Sequence, residues 1–213
     1  MALARISRLA APAGFAAALL ALAALVLFGV VVGSGTISQA AESPSFYAPT
    51  LAALGSIAAL LIALIAIFVR QSSEMGSLGV AGFLAALVGT LLGAGGTWTY
   101  VFVVPYISET APGLADQSSG SLLVGFVVSF LLMGLGWLLF AVATLRTRVF
   151  PRWTVVLLMV GSVATSVPMP SRTLVLSLAV ACLGFASRGR SAPRDEAVEP
   201  ALDEATAPSL PQR

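Results

Sequence analysis

The sequence has no histidine, no lysine and no asparagine, and it has a single cysteine, Cys182. Without histidine there is no Ser-His or Cys-His nucleophile pair, no imidazole-ligated metal and no histidine-ligated haem. One cysteine can form neither an internal disulfide nor a thiolate cluster. We therefore expect no cofactor and no metal ion, and an enzyme is the least supported class of function.

Charged residues are also scarce. They make up 9% of the chain, whereas an ordinary soluble domain has about 25%. Hydrophobic residues make up 58%, and the mean hydropathy is +1.00. Long apolar runs with so few charges indicate a membrane protein. The pI near 9.2 comes from a few arginines at the ends of these runs, and it does not indicate nucleic acid as a partner.

Six apolar runs follow one another, at residues 14–32, 50–69, 78–104, 121–145, 153–167 and 173–187. The first four are long enough to cross the roughly 30 Å hydrocarbon core as helices. Each of the last two rises only about 22 Å as a helix, so the pair either spans twice or forms a hairpin that enters and returns. We predict an all-α polytopic membrane protein, a bundle of six transmembrane helices with the last two short.

The arginines indicate how this bundle is oriented. Six spans place both termini, the second loop and the fourth loop on one side, which then holds ten of the eleven arginines. By the positive-inside rule both termini are cytoplasmic, and we expect a bacterial cytoplasmic membrane. The helical domain covers residues 1–187, and residues 188–213 form a disordered cytoplasmic tail. The basic turn of Arg146, Arg148 and Arg152 suits anionic lipid.

The first apolar run has a second interpretation. Arg5 and Arg8 precede it and Ser38, Gln39 and Ala40 follow it, as in a cleavable signal peptide. The run is longer than the usual signal core, which favours a retained helix.

Small residues recur at four-residue spacing within the runs. Such rows let two helix backbones approach closely, which favours packing within the bundle, with a homodimer face as the alternative. The rows are Gly55, Ala59 and Ala63 in the second run, Gly82, Ala86, Gly89 and Gly93 in the third, and Gly125 and Ser129 in the fourth.

Residues 93–112 are the most distinctive stretch, with clustered glycines followed by aromatic residues and prolines. Pro105 is expected to end or kink the third helix. The combination predicts a small outward-facing pocket there, walled by the fourth helix and the turn around Arg172. Alternatively, the aromatic residues form an interfacial belt in the lipid. The candidate pocket residues are Gly96, Trp98, Tyr100, Pro105, Glu109, Trp137 and Arg172.

Trp137 lies well inside the fourth run, so its indole N–H requires a hydrogen-bond partner. Hydroxyls that could serve are those of Ser129, Thr144 and Thr97. On the outer side, Arg172 is expected to pair with Glu109, or both remain solvated loop charges.

Residues 93–112, the run 134–140 and the turn 146–153 resemble small polytopic integral membrane proteins of actinobacteria of unknown function. The resemblance covers roughly residues 78–184. It implies the six-helix fold and a source of that kind, and it implies no active residues.

Two functions fit these observations. The first is a structural or accessory role with the lipid bilayer, a membrane protein partner or a second copy of the chain. The alternative is a small carrier or channel for a neutral or lipid-like solute. No Asp, Glu, Arg, Lys or His lies inside any of the six runs, which disfavours proton-coupled or ion-coupled transport.

Overall fold

The computed structural model describes residues 2–33, 35–117, 120–166 and 172–186, and at residues 2–4, 122 and 172 it describes the backbone only. This part of the chain is helical or in short turns, and it contains no strand. A 3-10 helix, Pro44–Phe46, lies between α3 and α4. The α-helices are α1 (Ala2–Ser7), α2 (Ala10–Val32), α3 (Ile37–Ala41), α4 (Tyr47–Gln71), α5 (Ser77–Thr110), α6 (Pro112–Ala115), α7 (Gly120–Thr147), α8 (Arg152–Thr165) and α9 (Arg172–Ala186).

Four of these helical segments are long enough and apolar enough to cross a membrane, namely those that contain α2, α4, α5 and α7. The helices α8 and α9 are apolar but shorter. Helices suit a bilayer because they satisfy every backbone hydrogen bond internally. The predicted fold class is confirmed: the chain forms an all-α bundle of membrane type, with four long and two short apolar helices.

Local sequence explains several helix ends. Gly33 has a φ of +50° and ends α2, with its N–H bonded to the Gly29 carbonyl oxygen at 3.1 Å. Thr36 begins α3 with a capping box, in which its side chain and that of Gln39 each bind the other residue's backbone N–H. Arg148 follows α7 in the left-handed region, at a φ of +55°, which glycine usually occupies at such an end.

Pro105 does not end α5. The helix continues through it to Thr110, so of the two expected effects of Pro105, an end or a kink, the end is wrong. Proline lacks the N–H that would bind the carbonyl of Val101, and both of these residues are buried. The helix therefore continues past Pro105 inside the bundle and not in an exposed loop.

The six long or apolar helices form a closed ring, in the order α2, α4, α5, α7, α8, α9 and back to α2. A glycine lies at most of the close contacts in this ring. A Cβ atom on Gly14 would lie 2.9 Å from the backbone nitrogen of Ala181, and one on Gly161 would lie 2.8 Å from Cα of Leu176. Backbones can approach this closely only where side chains are absent, and such packing holds helices together in lipid.

The interface between α5 and α7 is the most extensive, and the predicted row of small residues lies in it. Gly82, Ala86 and Gly89 of α5 face the backbone of α7 around Phe140, Gly136 and Met133 respectively. These contacts support packing within the bundle for the row of small residues on α5. On α7, the predicted row does not start with a contact inside the bundle, because Gly125 is exposed with nothing near its Cβ position. The alternative, a homodimer face, stays a prediction for this row. Gly134 and Gly136, which follow it, are the glycines that α7 buries.

We name the two ends of the bundle after residues that lie there. The Asp116 end carries α3, the 3-10 helix and α6, and the Gln71 end carries the α4–α5 and α7–α8 connections. At the Gln71 end, the buried amide of Gln71 donates to the hydroxyl of Thr144 at 2.9 Å and accepts from that of Thr147 at 3.3 Å. These bonds satisfy a polar side chain in an apolar interior, and they tie α4 to α7.

The helices α8 and α9 do not reach the Asp116 end. A 14-residue helix such as α8 rises about 21 Å, half the rise of the 28-residue α7. The end of α8 meets the middle of α7, where a Cβ on Gly134 would lie 2.8 Å from the carbonyl oxygen of Ser162 and against Ser166. Between α2 and α7, the ring wall therefore has only about half its height.

Candidate functional site

A cavity of about 560 Å³ lies between α2 and α7, where the short helices α8 and α9 do not reach the Asp116 end. Ser166 at the end of α8 and Thr173 at the start of α9 line the cavity on the side of these two helices. The first half of α7 forms one wall, with Leu123, Phe126, Val127 and Phe130. The opposite wall is the second half of α2, with Ala21, Ala24, Leu25 and Phe28.

The cavity reaches the outer surface of the bundle. Leu123 and Val127 line it and are also 57% and 44% exposed. Both belong to the part of α7 that qualifies as a membrane span. The opening thus lies on an apolar side of the bundle, between α2 and α7, and beside a span.

Helices α4 and α5 close the back of the cavity, and they contribute most of its polar atoms. Pro49, Thr50 and Ala53 come from α4, and Thr97 and Tyr100 come from α5. The Thr50 hydroxyl donates to the carbonyl oxygen of Phe46 at 2.8 Å, and the Thr97 hydroxyl donates to that of Gly93 at 3.0 Å. Each of these hydroxyl oxygens keeps its capacity to accept a hydrogen bond.

Tyr100 is partly buried and packs against two groups of side chains. Its ring lies 5.8 Å from that of Phe126 in an edge-to-face arrangement, which is a favourable geometry for aromatic pairs. It also packs against the buried cluster of Ala40, Ala41 and Phe46 at the Asp116 end. Within the described part of the chain, the Tyr100 hydroxyl donates to no other group.

The segment of residues 36–46, which we call the cap, covers the Asp116 end beside the cavity. Phe46 is fully buried there against Phe28 and Tyr100, and both of those residues also line the cavity. A carboxylate anchors the cap: Asp116 accepts hydrogen bonds from the Ser38 hydroxyl at 2.6 Å and from the Ser38 backbone N–H at 3.0 Å.

These two bonds hold the pKa of the Asp116 carboxyl below its ordinary value, with the Ser38 hydroxyl as the larger cause. The charged form of Asp116 therefore favours the docked cap.

No charged side chain lines the cavity among the residues that the structure describes. The same residues include no group of three or more histidine, cysteine or acidic side chains that could hold a metal ion. The site is thus apolar with a few hydroxyls. Such a lining suits an uncharged ligand, since an unpaired charge is costly to bury.

Of the seven residues predicted to form the pocket, the structure describes the side chains of six, and it does not bring these six together. Tyr100 lines the cavity. Gly96 lies against Phe126, which also lines the cavity, since a Cβ on Gly96 would be 2.9 Å from Cε1 of Phe126. Trp98 is 50% exposed and packs on Phe102 at 5.1 Å, on the outside of α5. The three exposed aromatic residues of this face are Trp98, Phe102 and Tyr106.

Of the other four, Pro105, Glu109 and Trp137 lie elsewhere. Pro105 is buried in α5 and Glu109 is exposed near its end. The side chain of Arg172 lies outside the described part of the chain, and so does its expected pairing with Glu109. Trp137 is fully buried, and its indole N–H donates to the hydroxyl of Thr90 at 3.0 Å, not to Ser129, Thr144 or Thr97 as expected.

Sequence reasoning did not find the contributions of α2, Thr50 or the cap. The available signal was the length of the last two apolar runs. Helices too short to match their neighbours must leave part of the neighbouring helices uncovered, and that is where the cavity lies.

The chain matches no protein-family model, and no curated protein or solved structure shows detectable similarity to it.

Proposed function

We propose that the chain is an integral membrane protein that binds a neutral, lipid-like molecule in the cavity between α2 and α7. One observation carries this proposal: the half-height wall at α8 and α9 leaves a 560 Å³ space lined by apolar side chains and hydroxyls. This volume lies within the range of about 300–1,000 Å³ typical of small-molecule sites. Its opening lies beside a span, where a lipid-like molecule could enter from the bilayer.

The cavity favours a carrier over the accessory role that composition alone suggests. An accessory protein needs no internal space, and its core can pack at full density. Charged side chains usually mark proton and ion pathways in membrane proteins, and no described residue that lines the cavity carries a charge. Hydroxyls and aromatic rings suit a neutral amphiphile, which is the solute class that we propose.

The proposed orientation follows from the arginines. The side chains of Arg146, Arg148 and Arg152 are exposed at the Gln71 end, and Arg5, Arg8 and Arg70 lie near the same end. We propose that this end faces the cytoplasm of a bacterial cell, with both termini inside. The cavity then opens in the outer half of the bilayer, and α8 with α9 forms a hairpin that enters and returns.

The exposed arginines of the α7–α8 turn also support the proposal that anionic lipid binds at the cytoplasmic surface. Each basic residue near an anionic leaflet contributes about 1 kcal/mol of attraction. Replacing Arg146 and Arg152 by glutamine should reduce retention of anionic over zwitterionic lipid, measured by lipid analysis of the purified protein. Unchanged lipid retention would contradict this part of the proposal.

The test of the main proposal fills the cavity. Ala53 lines it and Ala58, on the same helix, is exposed and lies outside it. Ala53→Phe should abolish binding of a fluorescent single-chain lipid to protein in nanodiscs, and Ala58→Phe should leave binding unchanged. Thermal unfolding of both variants shows whether each is folded. Equal binding by two folded variants would refute the cavity as the site.

A further inference from the structure

The polar groups of the cavity specify more than a neutral ligand. The hydroxyls of Thr50 and Thr97 already donate to carbonyl oxygens of their own helices, so toward the cavity they act as acceptors. The Tyr100 hydroxyl donates to no group in the described part of the chain, so it can act as a donor. A ligand that uses all three hydroxyls therefore accepts a hydrogen bond from Tyr100 and donates to Thr50 and Thr97.

Among neutral head groups, a hydroxyl or a primary or secondary amide has both capacities, whereas an ester or ketone can only accept. Burying a polar group without a partner costs about 1–3 kcal/mol in proteins. A ligand that lacks the donor leaves Thr50 and Thr97 without additional bonds, which costs little. A ligand that lacks the acceptor leaves the Tyr100 hydroxyl without a partner, which is the larger loss.

Charge disfavours an anionic head group. The described charged side chains near the cavity end of the bundle are acidic and exposed, namely Glu42, Glu109 and Asp116. A carboxylate or phosphate that enters the cavity loses hydration, and these acids would repel it.

The apolar lining continues from the cavity to the outer surface of the bundle, so it can accommodate the hydrocarbon chain of the ligand. From Tyr100 and Phe126, the lining continues to Val127 and Leu123, which are exposed on the outer side of α7. Phe28 and Leu25 of α2 face them across the cavity. A hydrocarbon chain that leaves between these walls stays in contact with apolar side chains and then with lipid.

We infer that the site recognises a long-chain amphiphile with an uncharged hydroxyl or amide head group. The head group hydrogen-bonds to Tyr100, Thr50 and Thr97, and the chain leaves between α2 and α7. This inference rests on the proposed function and narrows it to one class of ligand.

The test compares ligands that differ only in the head group. Dodecanol, dodecanamide, dodecanoate, dodecylamine and dodecane compete against the fluorescent lipid, in nanodiscs and after correction for partition into empty nanodiscs. The alcohol and the amide should compete best, followed by the alkane. If dodecanoate or dodecylamine competes as well as dodecanol, the inference is overturned.

Tyr100→Phe tests the role of the hydroxyl directly. Tyr106→Phe is the matched control, because Tyr106 lies on the same helix, is 66% exposed and does not line the cavity. Loss of one hydrogen bond should weaken dodecanol binding by about two- to tenfold in Tyr100→Phe. Dodecane binding should not change, and Tyr106→Phe should behave as the wild type with both ligands.

The outcomes separate this inference from the proposed function. If Ala53→Phe abolishes binding but Tyr100→Phe affects dodecanol and dodecane equally, the cavity binds lipid-like molecules and the head-group assignment is wrong. If neither cavity variant changes binding, the proposed function itself is wrong. If Tyr100→Phe does not fold, the ligand series on the wild-type protein still decides the inference.

Discussion

Replacing Gly89 by leucine should destabilise the bundle, because Gly89 lies at one of the closest approaches of α5 and α7. A Cβ there would meet the backbone N and Cα of Met133 and the carbonyl carbon of Leu132. Backbone atoms in a helix cannot move aside as a flexible side chain can, so the two helices must separate. Nearby, a Cβ on Gly82 would lie 2.7 Å from the backbone nitrogen of Phe140, so the contact extends along the helix.

The magnitude follows from two opposing terms. Overpacking of a closely packed core costs about 1–3 kcal/mol, and a leucine against backbone belongs at the upper end. The gain in helix propensity on replacing glycine is about 0.8–1 kcal/mol in the other direction. We expect a net loss of about 2 kcal/mol of unfolding free energy in Gly89→Leu. For a chain of this size, that corresponds to a fall of about 4–8 °C in Tm.

Gly95→Leu is the matched control on the same helix, since nothing lies within 4 Å of the Cβ position at Gly95. It should leave Tm unchanged or raise it slightly through the gain in propensity. The assay is thermal unfolding of the purified protein in one detergent, followed by intrinsic fluorescence. If Gly89→Leu and Gly95→Leu melt at the same temperature, the close contact between α5 and α7 is not as described, and the reasoning fails.

Three further predictions concern hydrogen bonds, pH and topology. Thr90→Val should lower the free energy of unfolding by about 1–3 kcal/mol, because it leaves the buried Trp137 N–H without its partner. In a Trp137→Phe background, the same change should lower it clearly less. Equal losses in the two backgrounds, measured by urea or thermal unfolding, would contradict the hydrogen bond. Because the pKa of Asp116 is lowered by Ser38, the stability that this bond gives the cap is present above the ordinary value of 3.8 and is lost as the pH falls through the folded-state pKa. A cysteine at the buried Ala41 position, in a Cys182→Ser background, should therefore react faster with a thiol reagent in Asp116→Asn than with Asp116 present at neutral pH, and the ratio of the two rates, measured at the same pH, should approach one under acid. A rate indifferent to Asp116→Asn would contradict the anchoring of the cap by this carboxylate. Cysteines introduced at the exposed Ser45 and Ser73 should react from opposite sides of intact cells, with Ser45 external, and reaction of both from outside would refute the proposed orientation.

The sequence by itself determined the class of fold and the approximate places of the helices. This was possible because the length and apolar composition of a run are local properties, and a bilayer permits few structures besides helices for such runs. Predicted and observed helices agree within a few residues at α4 and at α7. The main error, at Pro105, arose because burial in the bundle allows a helix to continue past a proline that would end it in solvent.

The row of glycines in α5 was recognised from spacing alone, since residues four apart share a face of a helix. Which helix that face meets was not predictable from spacing. Gly134 and Gly136 are two residues apart, so they lie on different faces of α7, and each meets a different neighbour, α8 and α5 respectively. No single periodic pattern marks a helix that packs on two sides.

Only the tertiary structure decided the position of the cavity and the partners of its side chains. The Thr90 hydroxyl lies beside Trp137, and Ser38 lies beside Asp116, because of how the helices are rotated and tilted against each other. Those rotations result from all the interfaces of the ring together, so no one segment encodes them. The shortness of α8 and α9 is visible in the sequence, but it becomes an opening only because the ring places them between α2 and α7.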